Sequence, residues 1–275
     1  MPWMKRLFST ACLGLLLVLA GCSSLTLAYQ QLPLLAGLWA NSYLDLDSDQ
    51  RARMKVQLQA WQAWHRREEL PHWQALLREA QAALDVGFTR EALLSLERGA
   101  RASVERSLAH AAPLAEPLLA SLRPEQWQHL QQEMQENTAE WRERHAGRSG
   151  PGERAKRYAT NLERWLGGLD RATLKQARAD AEAWHFDLQA MAQGRVTRQA
   201  RTVDALRAWA RHDLAEGNAL LMQNLLPLPA EQAYRDEIIA SVLKLLNGLN
   251  AEQRGHVRQH WGDWQRDLRT LHADG

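Results

Sequence analysis

Apolar residues recur at intervals of three and four along most of the chain, the spacing that places them on one face of an α-helix. Four stripes of this kind lie within 29–43, 54–64, 162–169 and 257–268. No segment shows the alternation of apolar and polar residues that a half-buried strand requires. The pattern therefore predicts an all-α protein.

Proline and glycine residues divide this pattern into about ten predicted helices, each of roughly 10 to 25 residues. The breaks fall at Pro71, Gly87, Pro113, Pro117, Pro124, Gly194, Pro227, Pro229 and Gly248. The sequence GRSGPG at 147–152 reads as a linker between two helical regions, 29–146 and 153–275. These regions could form two tandem bundles or one extended bundle with a long loop.

The N-terminus follows a different pattern. Lys5 and Arg6 precede an uncharged, leucine-rich stretch at Leu7–Ala20, and small residues follow it. A basic start, a short apolar stretch and a small-residue exit predict a secretory signal peptide at 1–21. The apolar stretch is shorter than the roughly 20 residues that a membrane-spanning helix needs.

The residues LAGC, which end at Cys22, resemble the lipobox of bacterial lipoproteins. The resemblance implies a covalent lipid on Cys22, cleavage before it, and a short tether over 22–28. Ser23, in place of aspartate, resembles lipoproteins that are sorted to the outer membrane. We therefore expect a cell-envelope protein that the lipid anchors to the periplasmic face of the outer membrane, with envelope proteins as candidate partners.

Charge and cysteine counts exclude several classes of function. The 275 residues include 34 basic and 32 acidic side chains, and removal of Lys5 and Arg6 leaves 32 of each. A net charge of zero argues against nucleic-acid binding. Of the two cysteines, Cys12 would leave with the signal peptide and Cys22 would be acylated, so neither a disulfide nor a free thiol is expected.

A short motif, L-x-x-[DE]-Q, occurs four times and ends at Gln50, Gln126, Gln232 and Gln253. Its leucine would lie just outside a helix, the next residue would cap it, and the acidic residue would face the positive helix terminus. We therefore interpret the four copies as helix starts. The motif is similar to the LTxxQ motif of Spy/CpxP-type periplasmic proteins, although threonine is absent from every copy.

A second resemblance covers the N-terminal third of the chain. The segments Tyr43–Asp47 (YLDLD) and Trp64–Pro71 (WHRREELP) stand with Cys22, Tyr29, Trp39 and Gln50. Together they resemble an uncharacterised family of proteobacterial lipoproteins. The resemblance implies a location and a helical fold, and it implies no chemistry.

Few residues suggest catalysis. The densest polar cluster, His65, Arg66, Glu68 and Glu69, could serve acid–base chemistry, but a surface ion network is the favoured interpretation. Two E-x-x-H pairs, Glu69/His72 and Glu182/His185, have the spacing of di-iron bundle ligands, and His256 and His260 could chelate a metal. We expect solvated helix faces there and no cofactor.

The sequence therefore favours a non-catalytic binding, chaperone-like or scaffold lipoprotein. The alternative is a metal-binding or hydrolytic enzyme that uses the His65–His72 region.

The tryptophans are expected to form core, and some could line a groove for an apolar partner. For Trp39, close to the lipid, we expect burial against the helix at 54–64, so that Trp39→Ala would cost about 3–5 kcal/mol. Insertion at a membrane interface is the alternative for this residue.

Overall fold

The computed structural model describes residues 24–146 and 150–273, and these ranges consist of helices and short turns. The helices are α1 (Ser24–Gln30), α2 (Leu32–Leu44), α3 (Ser48–Glu68), α4 (Leu70–Val86), α5 (Arg90–Ala120), α6 (Pro124–His145), α7 (Gly150–Leu166), α8 (Arg171–Glu182), α9 (Leu188–Ala210), α10 (Leu214–Gln223), a 3-10 turn (Pro229–Glu231), α11 (Gln232–Gly248) and α12 (Ala251–Ala273). Within the described ranges no strand occurs, so the all-α prediction is confirmed. The predicted signal peptide, Cys22 and residues 147–149 of the predicted linker lie outside them.

The two larger hydrophobic cores draw on both halves of the chain, whereas a third, smaller cluster of Ala155, Ala181 and Trp184 lies within the second half. The first core joins α2, α3, α5 and α6 to Val203 and Trp209 of α9. The second core joins Leu84 and Phe88, at the end of α4, to α7, α8, α11 and α12. The boundary that the linker predicts therefore does not separate the cores, and the described residues form one continuous bundle.

Helix α5 connects the two cores. It has 31 residues, which at 1.5 Å per residue gives a rod of about 46 Å. Its C-terminal residues Ala112, Leu118 and Leu119 belong to the first core, while Leu93 and Leu96 near its start pack against the second. Both cores therefore pack against this one helix.

Three of the predicted breaks are wrong, because α5 continues through Pro113 and Pro117 and α9 continues through Gly194. Both prolines are exposed, so the carbonyl groups that they leave unpaired can reach water. At Gly194 a side chain would collide with Glu231, which crosses α9 at this point. Close packing, rather than a helix end, requires this glycine. The predicted linker is also shorter, since α7 already begins at Gly150.

The four copies of the repeated motif lie at helix starts, and in three of them the glutamine itself takes part in the cap. Gln50, Gln126 and Gln253 are the third residues of α3, α6 and α12, and each side-chain oxygen accepts the backbone N–H of the capping residue. The fourth copy also lies at a helix start, since the 3-10 turn Pro229–Glu231 leads into α11 at Gln232, but Glu231 rather than Gln232 fills the capping position. Pro229 directly follows Leu228, so the turn starts one residue earlier and Gln232 is left exposed.

The buried glutamines also join helix starts in pairs. Gln50 and Gln126 exchange reciprocal hydrogen bonds of 3.2 and 2.8 Å, which tie the start of α3 to that of α6. In the second half of the chain, Gln253 donates to Asp170 and Thr173, which tie the start of α12 to that of α8. Thr173 is the third residue of α8, the position that Gln126 takes in α6. The two junctions therefore use corresponding positions.

Candidate functional site

The bundle contains an apolar cavity of about 490 Å³ between α2, α3, α5, α6 and α9. Its wall includes Leu58, Leu114, Leu130 and Leu206. Among the described residues that line it, Gln57 and Thr202 have polar side chains without an aromatic ring. None of these lining residues carries a charge at neutral pH. Ligand sites in proteins commonly have this size and this predominantly apolar lining.

Small side chains leave this volume empty. Helix α2 turns Pro33, Ala36 and Ala40 toward the cavity, and α5 contributes Ala111 and Ala115 one turn apart. A methyl group added at Gly37 would lie 3.7 Å from both Leu58 Cδ1 and Met54 Cε, so α2 lies close against α3. The small face of α2 brings its backbone near the bundle without filling the space.

The opposite side of α2, which we call the outer face, consists of large apolar side chains. It comprises Leu34, Leu35, Leu38 and Trp39, which are 58, 55, 61 and 65% exposed. The expectation that Trp39 is buried in the core is therefore wrong. Helix α2 is apolar on both sides, and the small Gly37, rather than the large residues of the outer face, lies against α3.

Trp39 links the outer face to the cavity. Its ring lines the cavity while most of its surface remains exposed. The ring centre lies 5.0 Å from that of Tyr43, which also lines the cavity. A ligand in the cavity would thus contact the same aromatic pair that borders the exposed surface.

The predicted polar cluster divides between different neighbours. His65 and Arg66 contact Tyr29 of α1: the Tyr29 hydroxyl lies 3.0 Å from His65 Nδ1, and the Arg66 guanidinium lies 5.7 Å from the centre of the ring. Burial lowers the pKa of His65, against the opposing charge of Glu69, and burial raises the pKa of Tyr29 to about 12. A hydrogen bond between the tyrosine hydroxyl and the imidazole therefore holds α1 against α3.

The two glutamates of this cluster have opposite environments. Glu68 is exposed, whereas Glu69 is 1% exposed and accepts hydrogen bonds from Arg106 at 2.7 and 2.9 Å and from Ser103. Burial disfavours ionisation of Glu69, but these donors and the Arg106 charge outweigh it and hold the pKa below its usual value. The predicted surface network is therefore wrong for Glu69, which joins α5 to the α3–α4 junction.

The histidine pairs lie apart from one another. His72 is exposed, and His185 follows the end of α8, where its Nδ1 lies 2.5 Å from a carboxylate oxygen of Glu237. Glu182 is the exposed last residue of α8. His256 and His260 of α12 pack over the turn at Gly167–Gly168. In the part of the chain that the structure describes, no three His, Cys, Asp or Glu side chains are placed to hold a metal ion.

Sequence reasoning missed the cavity, although the sequence contains a signal for it. Alanines spaced by four residues, Ala36 with Ala40 and Ala111 with Ala115, occur on α2 and α5. Such spacing places small side chains on one face. The sequence does not show that these two faces oppose each other, because that depends on the packing of α2 and α5 around α3.

Comparison with known proteins gives a family without a function. The model of a family of unknown function, DUF6279, matches residues 42–228. No curated protein and no solved structure matches the chain. The matched range contains Tyr43–Asp47 and Trp64–Pro71, in agreement with the expected uncharacterised family, but it begins beyond Cys22 and says nothing of the lipobox. The similarity to Spy/CpxP-type proteins stays a prediction.

Proposed function

The chain belongs to the DUF6279 family, and we propose that it is a lipid-anchored envelope protein whose bundle binds an apolar ligand without transforming it. The ligand class is a single hydrocarbon chain, such as the acyl chain of a fatty acid or a lipid. Anchoring at the periplasmic face of the outer membrane is part of the proposal. It rests on the lipobox resemblance at Cys22.

The observation that carries the proposal is the lining of the cavity. A pocket of about 490 Å³ offers a long apolar surface and no charged group among its described lining residues. The polar side chain of Thr202 is already engaged, because its hydroxyl donates to the carbonyl of Arg198 at 2.8 Å and accepts from Asn224. A hydrocarbon chain needs no hydrogen bonds from such a wall, whereas a polar substrate would lose its hydrogen bonds to water without replacing them.

The same lining favours binding over catalysis. General acid–base and nucleophilic chemistry need a side chain that can exchange a proton or attack a substrate. The titratable group nearest to such a role in the wall is the Tyr43 hydroxyl, while His65 and Glu69 are engaged in contacts that hold helices together.

A fluorescence titration tests the binding role. The chain from Ser23 onward, which contains both described cores, would be titrated with a fluorescent fatty acid. We expect saturable binding of about one ligand per chain. Ala115→Trp fills the cavity and should weaken binding at least about tenfold, a loss of about 1.4 kcal/mol or more.

Ala60→Trp is the matched control, because Ala60 is exposed on α3 and does not line the cavity. Melting curves of both variants would show that each remains folded, and Ala111→Leu offers a milder filling if the tryptophan disturbs packing. Equal affinity in all variants would refute the cavity as the binding site.

Lipidation needs a separate test, because the cavity could bind ligands in an unanchored protein. Metabolic labelling with a fatty acid should mark the wild-type chain and leave Cys22→Ser unlabelled, since serine lacks the thiol that accepts the diacylglyceryl group. Labelling of Cys22→Ser at the wild-type level would refute the anchor and leave the binding role standing.

A further inference from the structure

The outer face of α2 is an apolar surface that the bundle does not cover. Leu34, Leu35, Leu38 and Trp39 are neighbours at helical spacing and are each more than half exposed. Leu27 of α1 continues the same stripe with 41% exposure. Clusters of large exposed apolar residues on one face of a protein mark sites of contact with a partner or a membrane.

Charge distinguishes α1 and α2 from the rest of the molecule. Among the described helices, these two carry no charged residue, and in the sequence none occurs between Arg6 and Asp45. A face that contacts another protein is normally rimmed by charged and polar residues. A long stretch without charge favours contact with hydrocarbon, where an isolated charge is costly.

The outer face also lies close to the proposed lipid. Trp39 follows Cys22 by 17 residues, which in a helix span about 26 Å. Helix α1 is fixed to the bundle by a hydrogen bond between Tyr29 and His65 and by one from Gln62 to the Tyr29 carbonyl. The anchor and α2 are therefore connected through a helix that is held in place, and α2 remains near the bilayer surface.

We infer that the outer face of α2 docks into the interfacial layer of the membrane that holds the protein, with its leucines and Trp39 among the lipid chains. Tryptophan and tyrosine concentrate at this layer, where Trp39 and Tyr43 would lie as a contacting pair. No described helix is long and apolar enough to cross a membrane. Helix α2 has 13 residues, fewer than the roughly 20 that a membrane-spanning helix needs, so in this docking it lies along the surface. The inference rests on the proposed anchor for its location.

Docking in this orientation places α2 between the lipid and the cavity. One side of the helix would contact the bilayer, and its small residues Pro33, Ala36 and Ala40 already form the cavity wall. Trp39 belongs to both surfaces. A hydrocarbon chain could thus pass from the membrane to the cavity past one helix, without crossing the charged surface of the bundle.

Depth measurement with a spin label tests this inference on the lipidated full chain. Once Cys12 is removed and Cys22 is acylated, Leu38→Cys supplies the one free thiol for a nitroxide. In vesicles of phosphatidylethanolamine and phosphatidylglycerol, we expect the label at 38 to become severalfold more accessible to oxygen than to a water-soluble nickel complex. Val86→Cys, at an 88% exposed site on α4, should stay accessible to nickel.

A second arm of the experiment tests whether the outer face of α2 binds the membrane without the lipid anchor. The intact mass shows whether Cys22 carries the lipid, and the chain from Ser23 onward with the same label is mixed with vesicles. Burial of label 38 in either arm supports docking, even where the mass shows no lipid. A label 38 that stays exposed to nickel in both arms overturns it. Shielding of label 38 from both reagents without vesicles also overturns it, because a second copy of the chain would then cover the face.

Discussion

Glu69 is the residue whose role differs most between its sequence context and its place in the fold. It lies in a run of charged residues that suggests solvent, yet its carboxylate is buried against Ser103 and Arg106 of α5. Since 34 to 37 residues separate these partners, only the packing of α5 against the α3–α4 junction brings them together. The contact stabilises three helices at one point.

This ion pair predicts a pH dependence of stability. The folded-state pKa of Glu69 lies below its ordinary value of 4.5, so its contribution is complete above pH 4.5 and is lost as the pH falls below that value through the folded pKa. Glu69→Gln should lower the free energy of unfolding by about 3 kcal/mol at pH 7. The difference from wild type should shrink on acidification, as measured by urea unfolding.

Glu68→Gln is the control for this prediction. Glu68 is the exposed neighbour of Glu69, and its loss should change the free energy of unfolding little at either pH. A Glu69→Gln variant as stable as Glu68→Gln at pH 7 would contradict the assigned role.

The Gln50–Gln126 pair gives a second prediction. The Gln126 side-chain NH₂ donates to the carbonyls of Leu44 and Asp45 as well as to Gln50, all within a buried site. Gln126→Ala leaves these acceptors and the Gln50 amide short of partners, which should cost about 2–4 kcal/mol in denaturant unfolding. Gln128→Ala, on the same helix and less buried, should cost less than about 0.5 kcal/mol, and equal losses in the two variants would argue against the pair.

The helix-start role of these glutamines could be predicted because capping depends on neighbours within four residues. Their pairing could not, since 76 residues separate Gln50 from Gln126. In the fourth copy, the capping role falls to Glu231 instead of Gln232, and this too could not be predicted. The sequence pattern matches the other copies, and only the position of the turn at Pro229 reveals which residue performs the capping.

At the scale of the element, hydrophobic periodicity does not indicate which side of α2 faces the bundle. Most helices of the bundle have one apolar side, and the pattern indicates which side is buried. From Leu32 to Ala40, helix α2 is apolar all round, so the pattern indicates a helix but not its inward face. Periodicity alone favours packing of the bulky residues, whereas the structure packs the small ones.

Two tryptophans that differ in exposure should differ in their contribution to stability. Trp39→Ala should lower the free energy of unfolding by less than about 1 kcal/mol, because the side chain is 65% exposed. Trp261→Ala removes a 6% exposed side chain from the second core and should cost about 3–5 kcal/mol. Chemical unfolding of the chain from Ser23 onward distinguishes them. A loss at Trp39 as large as at Trp261 would restore the buried assignment.

At the scale of the molecule, the sequence predicts the fold class and most helix boundaries but not the arrangement of the cores. The flexible composition at 147–152 suggests a division, while the cores combine helices from both sides of it. Composition reports local chain stiffness and carries no information on which distant helices meet. Leu130 of α6 and Val203 of α9 share one core although 73 residues separate them.

Shared cores predict cooperative unfolding. Circular dichroism and tryptophan fluorescence should give coincident thermal transitions for the chain from Ser23 onward, because loss of either half removes partners from both cores. The segment 23–146 alone should lack a cooperative transition. Two resolved transitions, or a folded isolated segment, would favour two independent bundles.

Photocrosslinking would show whether the cavity holds an apolar chain. A fatty acid with a diazirine in its hydrocarbon chain would be bound to the protein, irradiated, and located by mass spectrometry of the peptides. We expect adducts on cavity residues such as Met54, Leu58, Leu118 and Leu206, which Ala115→Trp should remove. Adducts confined to the outer face of α2, or unchanged in Ala115→Trp, would contradict it.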